Sequence, residues 1–80
     1  MTALEYAEGL LSPVTEEHEA EARIIISELT ALPIGRINIE APPLSEALKE
    51  SIDGIAKRRA RGEPLQYILG KWEFMGLTFY

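Results

Sequence analysis

The chain has 80 residues with 46% hydrophobic and 26% charged side chains and no cysteine, which fits one small soluble core and excludes both a disulfide scaffold and a thiolate metal site. The net charge of −5 disfavours a nucleic-acid-binding surface, which needs clustered positive charge to neutralise phosphates. No stretch approaches the ~18 apolar residues of a membrane span, and the start Met1-Thr2-Ala3-Leu4-Glu5 lacks the basic and apolar segments of a secretory signal.

The spacing predicts a first helix over Thr2–Leu11. Leu4, Ala7, Leu10 and Leu11 share a face, Glu5 lies at the positive end of the dipole, and Ser12-Pro13 stops the helix. A second helix is expected over Thr15–Thr30 with Thr15 as its N-cap. Glu16, Glu17 and Glu19 fill its first turn, and Ala22, Ile25, Ile26 and Leu29 form its buried stripe. Ile24-Ile25-Ile26 alone would suit a strand, but its acidic, alanine-rich flanks favour helix. The acid cluster reads as a solvated helix start. His18, the single histidine, reads as a surface residue without a catalytic partner.

Pro33–Pro43 admits two readings. Ile37-Asn38-Ile39 alternates like a strand, but a lone strand among helices has no partner. A helical turn with Ile34 and Ile37 facing the core, followed by an extended Pro42-Pro43 linker, is preferred. A third long helix is expected over Ser45–Arg61, capped by Ser45 after an apolar Leu44. Leu48, Ile52, Ile55 and Ala56 form its buried face, and Gly54 is read as a possible site of close helix contact. Gly62 is suited to the residue past its end and Pro64 blocks continuation. A short helix from Pro64 to Leu69 follows, with Leu65, Ile68 and Leu69 inward and Gly70 as its end. The expected fold is therefore all-α, a bundle of four to five helices over residues 1–70.

Two features lie outside this packing scheme. Lys57, Arg58, Arg59 and Arg61 are the candidate partner-binding residues. They serve equally well as cations completing a helix C-terminus. Residues 71–80 hold Trp72, Phe74, Phe79 and Tyr80 around Met75-Gly76-Leu77-Thr78, the pattern of a short hairpin. Aromatics at that density suggest a surface meant to be covered, so Tyr67, Trp72, Phe74 and Phe79 are candidate interdomain contacts. The chain reads as cut at Tyr80, inside a linker to something larger.

Chemistry within the 80 residues is sparse. There is no Ser/His/Asp set, no His-Glu-x-x-His, no Gly-rich phosphate loop between strand and helix, and hence no candidate catalytic, cofactor or metal residue.

The run Arg58-Arg59-x-x-Gly62-Glu63-Pro64-Leu65-x-Tyr67-Ile68-Leu69-Gly70, followed by Glu73-Phe74-Met75-Gly76-Leu77-x-Phe79, resembles the end of the N-terminal domain of HemK-type methyltransferases. The resemblance is tight over residues 58–79 and extends upstream only in helix layout. It implies a helical domain of about five helices, joined through a β-hairpin to a catalytic methyltransferase domain absent from these residues. That domain would use S-adenosylmethionine to methylate the side-chain amide of the glutamine in the Gly-Gly-Gln motif of peptide chain release factors. It also implies that these residues help to recognise the release factor, as a cytoplasmic monomer inactive alone. The alternative is a stand-alone helical module that binds protein or RNA through its basic helix end.

Overall fold

The computed structural model describes residues 1–70 and the backbone of 71, 73–74 and 77–78. Five α-helices are present among the described residues: α1 (Ala3–Leu11), α2 (His18–Thr30), α3 (Ile37–Glu40), α4 (Glu46–Ala60) and α5 (Leu65–Lys71). A 3-10 turn, Ile34–Arg36, leads into α3. The all-α bundle is thus the observed architecture. Beyond it, Glu73 and Phe74 pair antiparallel with Thr78 and Leu77.

The first helix opens on a reciprocal capping box. The Glu5 N–H donates to Thr2 Oγ1 at 3.1 Å, and the Thr2 N–H donates to Glu5 Oε1 at 2.9 Å. This contact holds the Glu5 carboxyl below its usual range, since it favours the charged form. The expected N-cap of the second helix is corrected. Its N-cap is Glu17, with no side-chain cap, and α2 begins at His18 rather than near Thr15. Thr15 Oγ1 instead accepts from the Glu17 N–H at 3.2 Å and donates to Glu21 at 3.3 Å, closing a turn ahead of the helix. His18 is corrected as well. It is half-buried, and its Nδ1 is enclosed without a hydrogen-bond partner.

The segment between α2 and α4 is helical, as preferred, rather than a strand. Ile37 is fully buried, but Ile34 is 51% exposed, so only one of the two expected contacts reaches the core. A 3-10 turn has about three residues per turn and would stack positions 34 and 37. The change to α-helix at Ile37 separates them. The extended stretch after it runs along the N-terminus, where the Ala3 N–H donates to the Pro42 carbonyl at 3.0 Å and Thr2 pairs with Pro43.

Ala31 and Ala41 hold φ of 64° and 42°, the left-handed region that glycine occupies without penalty. Both terminate helices, and the next turn demands the geometry. Ala41→Gly is expected to stabilise the fold by about 0.5–1 kcal/mol, relief of strain partly offset by a freer unfolded chain. A thermal melt a few degrees higher would bear this out, and a lower one would contradict it.

Ser45 caps α4 as expected, accepting from the Leu48 N–H at 3.2 Å. Ser45→Ala is expected to cost about 1 kcal/mol in a urea melt, because that N–H loses its acceptor. A side-chain change without effect would show that water replaces the hydroxyl. The expected end of the last helix is corrected: α5 begins after Pro64 but runs through Gly70 to Lys71.

The core gathers Ala3, Ala7 and Leu11 from α1, Ala22, Ile25 and Ile26 from α2, and Ile37 from α3. Ile52, Ile55 and Ala56 come from α4 and Ile68 from α5. Alanines on α1 let that helix sit close against α2 and α4, while isoleucines from the other helices fill the centre. Leu65 and Leu69 pack on this cluster from α5.

Candidate protein-interaction surface

The C-terminal end of α4 is a tightly bonded corner. Gly62 takes φ of 94°, the Gly62 N–H donates to the Arg59 carbonyl at 3.0 Å and the Glu63 N–H to the Arg58 carbonyl at 3.3 Å. These two bonds are a Schellman cap, and they turn the chain so that Pro64 can open α5. The turn also swings the Glu63 side chain back onto Arg58.

The four candidate cations then divide. The Arg58 guanidinium donates to Glu63 from Nη2 at 2.8 Å and from Nε at 3.2 Å. Arg59 reaches across the bundle to Glu21, with Nε to Oε1 at 2.9 Å and Nη2 to Oε2 at 3.3 Å. Lys57 and Arg61 are exposed. Hydrogen bonding to Glu63 raises the Arg58 pKa, hydrogen bonding to Glu21 raises that of Arg59, and the Arg58 contact holds Glu63 below the usual carboxylate range.

The sign of the Glu63 effect follows. Its folded-state pKa is depressed, so the contact stabilises the fold fully above the ordinary carboxylate range and is lost as the pH falls through the folded value. Glu63→Gln is therefore expected to be less stable than the parent at neutral pH. The difference should disappear in acid, once the pH has fallen through the depressed folded value and the carboxylate is protonated. Urea melts at the two pH values test this, and a difference that survives in acid would contradict it.

Sequence reasoning missed Glu21, although a signal was present. Glu21 lies four residues before Ile25 and next to Ala22, inside the apolar stripe of α2, where an unpaired carboxylate would be costly. It is only 9% exposed and accepts bonds from both Thr15 and Arg59. A second missed cluster joins α1 to α4. The Tyr6 hydroxyl donates to Asp53, Lys49 Nζ lies 3.6 Å from Asp53, and the same ammonium stands 5.7 Å from the centre of the Tyr6 ring. The Asp53 contact raises the Tyr6 pKa, and the Tyr6 oxygen together with the Asp53 carboxylate raises that of Lys49.

Two shallow cavities border these clusters. One of about 310 Å³ lies between α2, α4 and α5, lined by Ile24, Leu65, Leu69 and the Glu21–Arg59 pair. Another of about 260 Å³ lies between α1 and α4, lined by Leu10, Val14, Asp53, Ala56, Lys57 and Ala60. Among the described residues no three His, Cys, Asp or Glu side chains gather to hold a metal ion, and no helix is long and apolar enough to cross a membrane.

Of the candidate interdomain contacts, Tyr67 is 54% exposed on α5. Phe74 contributes backbone to the two-residue ladder. Trp72 and Phe79, and the side chain of Phe74, lie outside the described residues.

Comparison with known proteins agrees with this arrangement. Residues 2–70 match the family described as the PrmC N-terminal domain. A release factor glutamine methyltransferase of Bradyrhizobium diazoefficiens is 42% identical over 74 residues, which is 91% of this chain and 25% of that protein. The chain thus spans about a quarter of the length of this relative. No solved structure matches it. The helical body of residues 2–70 belongs to the PrmC N-terminal domain family, that of the HemK-type methyltransferases which the Arg58–Gly70 run resembles.

Proposed function

We propose that this domain recognises the release factor for a protein-glutamine methyltransferase whose catalytic part lies outside these 80 residues. The family match over residues 2–70 carries the reading. The methylated group is the side-chain amide of the glutamine in the release factor's Gly-Gly-Gln motif, and S-adenosylmethionine supplies the methyl group. The cofactor belongs, in this reading, to the remainder of the protein. No step of methyl transfer runs through the residues described.

The domain's part is orientation. An amide nitrogen is a weak nucleophile and must be held in line with the methyl group, so positioning supplies much of the acceleration. A helical body that grips the protein substrate away from the chemistry provides binding energy for that alignment. Residues 71–80 then form the connection to the catalytic domain.

Removing residues 1–71 from the full-length enzyme tests this. Methylation of intact release factor is expected to fall in kcat/KM by about tenfold or more, with a short Gly-Gly-Gln peptide changed by less than about twofold. An equal loss on both substrates would remove the docking role.

A further inference from the structure

In the cavity of about 310 Å³ between α2, α4 and α5, one charge is left over once the internal ion pair has formed. Glu17, Glu21 and Ile24 line it from the α2 side, at spacings of four and three that share one helix face. Arg59, from α4, binds Glu21 through two N–H groups at 2.9 and 3.3 Å, so these opposite charges cancel within the wall. Glu17 remains. It is exposed, gives α2 no side-chain cap, and enters no ion pair or side-chain hydrogen bond among the described residues. The walls around it are apolar, with Ile24 on one side and Leu65 and Leu69 on the other, all half-buried. Gln66, exposed on α5, adds an amide that both donates and accepts.

We propose that this α2/α4/α5 groove is where the release factor docks, taking an apolar side chain of that protein flanked by a Lys or Arg. The proposal rests on the reading of the domain as the release-factor-recognising part and adds the face that does it. Charge complementarity argues for the occupant. The uncompensated charge of the lining is the Glu17 carboxylate, and the α2 wall that supplies it belongs to residues 1–40, which carry eight acids and two bases. Lining and surroundings therefore have the same sign, so a cationic segment is attracted by both and an acidic one repelled by both. The same sign disfavours a nucleic acid, whose phosphates need cations that this lining keeps paired to Glu21. Position agrees with the occupant. Leu69 stands two residues before Lys71, the end of α5, so the groove adjoins the helix that leads into the connection to the catalytic part. Its volume suits one or two side chains, an anchor within a wider contact.

The test uses the full-length enzyme with intact release factor and with a Gly-Gly-Gln peptide. Glu17→Lys reverses the free charge of the lining, and Gln66→Trp fills the groove from an exposed position. Glu50→Lys, exposed on α4 and outside the groove, makes the same charge change elsewhere. Either groove variant is expected to raise KM for the intact factor by about tenfold at low salt, with peptide methylation unchanged and Glu50→Lys within about twofold of the parent. KM of the parent for the factor should rise with added salt, and that of Glu17→Lys should rise less. Circular dichroism checks that each variant stays folded, and Glu17→Lys decides the matter if Gln66→Trp does not. A Glu17→Lys enzyme with the parent's KM and salt dependence overturns the cationic occupant. If both groove variants match the parent while removal of residues 1–71 raises KM, another face does the docking and the proposal falls. An equal loss on factor and peptide would mean that the catalytic part covers the groove, and likewise overturn it. If removal of residues 1–71 has no effect either, the recognition reading itself fails.

Discussion

Ile25→Ala is expected to destabilise the domain by about 2–5 kcal/mol, as truncation of a fully buried isoleucine does. Ile25 is fully buried where α2 meets the rest of the bundle, and truncation leaves a cavity that close-packed neighbours fill only partly. A chain of this size has a stability of about 4–12 kcal/mol, so the change takes a large part of it. Ile24→Ala, one residue away, should cost less than half as much, because Ile24 is only half-buried on the wall of the α2/α4/α5 cavity. The pair tests the helical phase of Ile24-Ile25-Ile26, since a strand would bury alternate residues and treat Ile24 and Ile26 alike. Urea melts of the three single alanine variants, at positions 24, 25 and 26, decide it. Equal losses at 24 and 26, with little at 25, would overturn the phase.

Glu21→Ala is expected to cost about 2–3 kcal/mol, because it strands the Arg59 guanidinium with its best acceptor gone and leaves Thr15 Oγ1 without its acceptor. The pair is enclosed enough to matter, with side-chain exposures of 12% for Glu21 and 23% for Arg59. Much of that cost is the penalty of an uncompensated charge rather than the worth of the ion pair. Arg59→Ala should therefore be destabilising too, and the double variant should lose less than the sum, with a coupling of about 1–3 kcal/mol. A double-mutant cycle measured by urea unfolding reads this directly. Additive losses would show that the two side chains act independently. Replacing both with Leu and Met should come close to the parent, since apolar packing can stand in for a desolvated pair.

The long helices were legible because their signals were local. Thr2 and Glu5, the 22/25/26/29 and 52/55/56 stripes, the Ser45 cap and the Gly62-Pro64 break each act within a few residues. The Pro33–Pro43 segment was only half legible. Proline and the isoleucine spacing announce a helical turn, but the switch from 3-10 to α geometry that exposes Ile34 answers to packing on Ile37. The start of α2 is not legible locally, because Thr15 can cap a helix or close a turn, and its bond to Glu21 favours the turn. Gly70 suits a helix end because glycine is a common stop, yet it lies inside α5 and does not hold a positive φ.

The surface was the least legible part. By itself the sequence determined the all-α class, the identity of most core residues and the corner at Gly62-Pro64, because periodicity, caps and breaks are written in neighbouring positions. It also carried the family resemblance, since Arg58–Gly70 combines uncommon residues at fixed spacing. Only the tertiary structure decided which cations bind carboxylates. Glu21 and Arg59 lie 38 positions apart and Tyr6 and Asp53 lie 47 apart, so no local pattern joins them. Packing α1 and α2 against α4 brings them together, and it commits Arg58 and Arg59 to carboxylates while Lys57 and Arg61 stay exposed.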